Sequence, residues 1–185
     1  MSDFSLFIDA ETLNDAAKAA DFNLSPPDPA NNETFRAGAE PDLGSWTENL
    51  KILETTVAFP KNGAQDGSEL VFKAVMDVLG PAEGGWKGNN GKTFYYNCFI
   101  EKAALKPGHE KFKITARRLN IMKSLIAALG GDTKNGVDFS AMFNGTADHK
   151  PMVGLTVKAV VRKSRYKNRT GQIVESVDVD GFLPS

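Results

Sequence analysis

KFKITARRLNIMKSLIAALGG, residues 111–131, changes its hydrophobic period partway along. Over 111–116 the apolar Phe112, Ile114 and Ala116 alternate with Lys111, Lys113 and Thr115. That two-residue period is the pattern of a strand with one buried face. From Arg117 the period lengthens. Leu119, Met122, Leu125, Ile126 and Leu129 form one stripe at helical spacing across 117–129. Gly130 and Gly131 supply the expected stop. The stretch predicts a strand running directly into one amphipathic helix.

Strand patterns stand on both sides. Residues 50–59 are rich in strand formers and end at Pro60. In 68–79, Leu70, Phe72, Ala74, Met76 and Val78 share one face, and 92–102 is dense in aromatic and β-branched residues. After a loose segment over 132–150, residues 152–163 alternate with Val153, Leu155, Val157, Ala159 and Val161 on the buried side. Residues 171–180 form the last strand, and SRYKNRTG (164–171) reads as the turn before it, with Tyr166 at the tip. From residue 68 the order is therefore β-β-β-α-β-β. Residues 50–59 are either an extra strand or the true first one.

The front of the chain differs in character. Residues 9–20 read as a helix capped by Asp9. Residues 23–45 hold Pro26, Pro27, Pro29 and Pro41 without an apolar period, the composition of a linker. Two units follow: residues 1–45, an acidic N-terminal helix and linker, and residues 46–185, the folded domain.

The formal charge of the 185 residues is −1, which by itself points to electrostatic indifference. The sum hides a split. Residues 1–60 carry eleven acids and three bases, a balance of −8, and residues 61–185 carry twelve acids and nineteen bases, a balance of +7. Such asymmetry points toward nucleic acid or membrane contact. No apolar stretch is long enough for a membrane helix, and the first residues lack the basic region of a signal peptide. The single Cys98 suits a reducing compartment, so a cytoplasmic location is expected, that of the host cell if the protein is viral.

The element order resembles an OB-fold, a five-stranded, partly open barrel whose sheet face and loops bind oligonucleotides or oligosaccharides. The fold class expected is thus mainly β (α+β): an OB-fold-like five-stranded barrel, with one helix between strands 3 and 4 and an acidic N-terminal extension. That resemblance makes a demand on two loops. The loop GPAEGGWKGNNG (80–91) offers Trp86 as a stacking platform beside Lys87, among glycines that let a ligand approach the backbone. The alternative is a lid in which Trp86 folds back on the core. The hairpin over 158–169 carries Lys158, Arg162, Lys163, Arg165, Lys167 and Arg169 around Tyr166, with no acid. Cations with an interleaved aromatic suit a phosphate backbone whose bases stack. A solvated, aggregation-resistant edge hairpin would look similar. On the outward parity of the strands stand Lys73, Tyr95, Phe99, Lys111 and Lys113, together with Asn97, Lys158 and Arg162. Aromatics among cations on an open face suit unstacked, single-stranded nucleic acid. Contact with the acidic front segment or a second subunit would use the same residues.

Enzyme motifs fail on inspection. GGWKGNNGKT has Trp86 where a phosphate loop needs its first glycine, and a strand pattern follows it instead of a helix. His109 and His149 sit in turn sequences, and Cys98 lies on the apolar parity of its strand. No catalytic residue, metal site or cofactor is expected.

With these residues in view, residues 68–185 resemble a bacteriophage single-stranded DNA-binding protein of the OB-fold type. The stretches that carry the resemblance are KFKITARRLNIMKSLIAALGG and MVGLTVKAVVRKSRYKNRTGQIVESVDVDGFLP, followed by a short C-terminus. It implies a non-enzymatic protein that coats and protects single-stranded DNA during phage replication and recombination, with little sequence specificity. The family often ends in an acidic tail that recruits partners. Here the acidic segment lies at the front, so residues 1–45 are expected to recruit replication or recombination proteins, or else to pack on the barrel or another subunit. A homo-oligomer is compatible with this reading, and no membrane contact is expected. The rival reading is a viral structural or assembly protein, with β-domain and N-terminal arm mediating protein–protein contacts.

Overall fold

The structure, a computed structural model, describes residues 4–20, 45–79 and 93–185, without the side chains at 45, 46, 163–166 and 175–177. Strand β1 (Phe7–Ile8) leads into helix α1 (Ala10–Ala20). The long strands β2 (Ser45–Ala58), β3 (Glu69–Val78) and β4 (Thr93–Glu101) follow. Next come helix α2 (Phe112–Ala128), strand β5 (Val137–Asp138) and the short helix α3 (Phe139–Asn144). Strands β6 (Thr156–Lys167) and β7 (Ile173–Pro184) close the chain.

The five long strands form one antiparallel sheet in the order β4-β3-β2-β6-β7. β2 is its centre. Ser45–Lys51 pairs with β6 and Leu50–Ala58 with β3, and the β3 register shifts between Ile52 and Glu54 just past the exchange. An extra residue at such a point bends a strand and lets it serve two neighbours. The strand at 50–59 is therefore the first of the five. Counting from residue 68 started one strand late.

The expected barrel is met only in part. No ladder joins β4 to β7 among the described residues, so the sheet is open. Side chains span the gap instead. α2 packs against both edge strands, and the Tyr96 and Phe182 rings meet edge-on across it at 5.3 Å. Ser124 Oγ accepts from the Phe182 N–H at 2.9 Å.

The strand expected over 111–116 is instead the start of α2. Six alternating residues fit either period. Here burial of Thr115, Ala116, Leu119, Asn120, Met122, Leu125 and Ile126 follows the helical one, while Ile114 is exposed. Gly130 ends the helix at φ +84°, where a side chain would be strained. Asp9 caps α1 as its position suggests, its carboxylate accepting from the Thr12 N–H at 2.7 Å. α1 buries Leu13 and Ala16 in the common core, and the Asn120 amide donates to the Ala16 carbonyl at 2.9 Å.

The segment 132–150 is less loose than its composition implies. Asp138 caps α3 by accepting from the Ala141 N–H, and Phe139 and Phe143 are fully buried against Phe72. The sixth strand starts at Thr156, four residues later than the alternation suggests. Val153 and Leu155 are 38% and 42% exposed, whereas Val157, Ala159 and Val161 are buried.

Cys98 is buried on β4, and burial pushes its thiol up to about 11. A raised thiol pKa leaves roughly a hundredfold less thiolate at pH 8 than in the unfolded chain, and only the thiolate reacts. Native protein should therefore resist alkylation by iodoacetamide at pH 8 while urea-unfolded protein alkylates fully. Equal rates in both states would contradict the buried position.

Candidate nucleic-acid interface

Helix α2 packs against β4 and β7, α3 against β2 and β3, and α1 against α2, and the alternate residues Leu70, Phe72, Ala74, Met76, Phe94, Tyr96, Cys98 and Ile100 are buried. The period-2 parity of β3 and β4 turns the residues between them to the other side. The register there is direct. Tyr95 stands opposite Val75, Asn97 opposite Lys73, and Phe99 opposite Val71. Val75, Lys73 and Val71 in turn face Glu54, Thr56 and Ala58 of β2. Lys73, Tyr95 and Asn97 are exposed, Tyr95 by 52%, and Phe99 is half-buried. The outcome is a polar and cationic rung between two aromatic ones. Asp77 and Thr93 lie beyond Tyr95, and Glu69 and Glu101 beyond Phe99. On β3 and β4 the acids thus stand at the ends of the strip and Lys73 at its middle, while exposed Glu54 of β2 flanks the Tyr95 rung.

One further cation belongs to this face. Arg118 reaches from the first turns of α2, past the β4 edge, to Phe99. Its guanidinium carbon lies 5.8 Å from the ring centroid and Nη1 donates to the Phe99 carbonyl at 3.5 Å. A cation over an aromatic ring is attracted by the ring's quadrupole. Sequence spacing places Arg118 only on a helix, and no local pattern links it to a strand 19 residues earlier.

The other expected residues divide. Lys158 is half-buried on β6, opposite Asn49 and Leu183. Lys167 and Arg169 are exposed at the end of the β6–β7 hairpin. Lys163, Arg165 and Tyr166 pair with Val177, Glu175 and Val174 along the ladder, and their side chains lie outside the described residues. Tyr166 is thus on the strand and not at the tip. The turn is residues 168–172, where Asn168 Oδ1 accepts from the Thr170 and Gln172 N–H groups, each at 3.0 Å, and Gly171 takes φ +81°. Trp86 and Lys87 lie outside the described residues. With β2 counted first, their loop joins the second and third long strands, and the first loop is the polar 59–68.

Three expected cations leave the face. Lys111 and Lys113 belong to the N-terminal end of α2 and not to a strand, because the 111–116 alternation is helical. Lys111 pairs with Glu101 at 3.0 Å, which raises its pKa. Arg162 is an internal partner and not an outward contact. Its side chain, 16% exposed, pairs with Asp180, which Arg117 of α2 also holds at 2.7 Å. Burial pushes the Asp180 carboxyl above the ordinary range against the pull of both guanidinium groups. The acid-free run in 158–169 finds its counter-charge on the neighbouring strand, which a reading along the chain does not show.

Among the described residues no group of three or more His, Cys, Asp or Glu could hold a metal ion, and no helix is long and apolar enough to cross a membrane. Comparison with protein-family models, with curated proteins and with solved structures finds no match.

Proposed function

We propose that this protein binds single-stranded DNA with little sequence preference, in the manner of an OB-fold, and that it coats and protects strands exposed during phage replication or recombination. The observation that carries the reading is the outward β3–β4 face, where exposed Tyr95 and half-buried Phe99 flank the exposed Lys73 and Asn97. Five long antiparallel strands in the order β4-β3-β2-β6-β7, with α2 and the short α3 between the third and fourth and no β4–β7 ladder among the described residues, suit a partly open OB-fold barrel. In that fold the ligand face lies on the second and third strands. Once β2 is counted as the first, those strands are β3 and β4. The phage setting rests on the resemblance of residues 68–185 alone.

The chemistry is that of a stacking platform with an electrostatic rim. Tyr95 and Phe99 offer apolar faces to unpaired bases, while Lys73, Arg118, Lys158 and the exposed Lys167 and Arg169 are available to phosphates. A duplex hides its base faces and would use this surface poorly. The role is one of binding, without a bond made or broken.

Titration of labelled single-stranded and duplex oligonucleotides at two salt concentrations tests the reading. If about four phosphates are neutralised, log affinity for the single strand should fall against log salt with a slope of roughly −3. A flat salt response, or equal affinity for duplex, overturns the proposal.

A further inference from the structure

We propose that a cleft beside the last strand docks an acidic peptide of a partner protein, by one aromatic side chain that carries a hydrogen-bond donor. The cleft shares no residue with the Tyr95 and Phe99 strip, and the proposal does not rest on the single-strand reading.

The cleft lies between α1, α2 and the end of β7, with a volume of about 360 Å³. Ala17 of α1 and Ala127 and Ala128 of α2 line its helical walls, and Phe182 and Pro184 of β7 line the third. Side chains this small leave open the space between the two helices. Ser124 fixes the β7 side. Its Oγ donates to the Ile121 carbonyl at 2.6 Å and accepts from the Phe182 N–H at 2.9 Å, so its proton is already used.

Asn120 carries the argument. It lines the cleft and is only 4% exposed. Its amide nitrogen donates to the Ala16 and Ala116 carbonyls, each at 2.9 Å. Two acceptors facing that end of the amide fix it as the nitrogen. The other end, Oδ1, has no partner among the described residues. A buried acceptor without a donor is costly to hold, so an entering group that brings an N–H or O–H is favoured. The apolar walls ask for an apolar body behind that donor. Tryptophan and tyrosine combine the two, and phenylalanine lacks the donor.

The surroundings select the rest of the ligand. Lys123 is half-buried, has no ion pair among the described residues and is the one charged residue lining the cleft. Its ammonium favours acids on either side of the inserted ring. Ala127 and Pro184 are exposed, so the cleft covers one side chain and leaves the attached main chain outside. A small-molecule pocket instead buries most of its ligand.

The test uses the full chain and fluorescein-labelled peptides EEAWAEE and EEAYAEE, with EEAFAEE and KKAWAKK as comparators, read by fluorescence anisotropy at low salt. The tryptophan and tyrosine peptides should bind about fivefold more tightly than the phenylalanine one, the worth of one hydrogen bond. EEAWAEE should exceed KKAWAKK by about fivefold, and Lys123→Glu should reverse that order. Ala127→Leu, a change at an exposed position, fills the cleft and should weaken EEAWAEE at least roughly tenfold. Asn120 also holds α1, so both variants are placed at the rim, and circular dichroism checks their fold. No binding up to about 1 mM, equal binding of the phenylalanine peptide, or full binding by Ala127→Leu overturns the proposal. Oligonucleotide binding is read by its own titration and stands or falls separately.

Discussion

Asp180→Ala should destabilise the protein by about 3 kcal/mol, within the range for removing one partner of a buried ion pair. Asp180 sits in β7 where the pairing with β6 shifts between Val160 and Val161. Its carboxylate receives Arg117 from α2 and Arg162 from β6, and its side chain is 14% exposed. The three groups join the helix to the last hairpin. A methyl there leaves two guanidinium groups without an oxygen acceptor, one of them largely out of water, whereas an amide would mimic the neutral carboxyl that burial already favours. Arg117 is a third exposed and solvent relieves part of its cost, so the lower end of the range is expected. For a chain of this length the midpoint of thermal unfolding should fall by roughly 6–12 °C. Urea unfolding followed by circular dichroism gives the free energy directly. A loss below about 1 kcal/mol would mean that the pairs are surface decoration.

The second large effect concerns the platform. On the proposed single-strand reading each stacking aromatic should contribute about 1–3 kcal/mol, so Tyr95→Ala/Phe99→Ala should weaken binding by roughly a thousandfold if the two are independent. The single variants differ in what else they disturb. Tyr95 is half exposed and its removal should leave stability nearly unchanged. Phe99 is half-buried and holds the Arg118 guanidinium, so Phe99→Ala also frees that cation. Phe99→Leu separates the effects, because it keeps apolar bulk on the strand and removes the ring. Fluorescence anisotropy with a labelled oligonucleotide measures both. If the double variant binds within about twofold of wild type while folded, bases do not stack on this face.

Much of this was legible along the chain. The alternation in 68–79 and 92–102 identifies the buried set Phe72, Met76, Phe94, Cys98 and Ile100, and by parity the outward Lys73, Tyr95 and Phe99. That works because a pleated strand turns successive side chains to opposite faces whatever its partners are. The same rule failed over 111–116, where six residues cannot separate a two-residue period from the start of a helical stripe. It missed α3, whose six residues carry only two core side chains, Phe139 and Phe143. It also counted Val153 and Leu155 inward, although the sheet begins only at Thr156.

The net charge of −1 follows the same division. Sequence alone separates an acidic front from a basic body. Pairing alone shows that Arg162 and Lys111 are held by Asp180 and Glu101, and that Lys73 stays exposed between two aromatic rungs. The sequence by itself determined the period and face parity of β3, β4 and the helix from Arg117, and the caps at Asp9 and Gly130, because these depend on backbone geometry within a few residues. Tertiary structure decided which strand comes first, which cations meet an acid, and that Arg118 joins Phe99. Those contacts join residues from 10 to 63 positions apart. They form only when strand order and chain reversals bring distant segments together, and hydrophobic periodicity carries no record of that order.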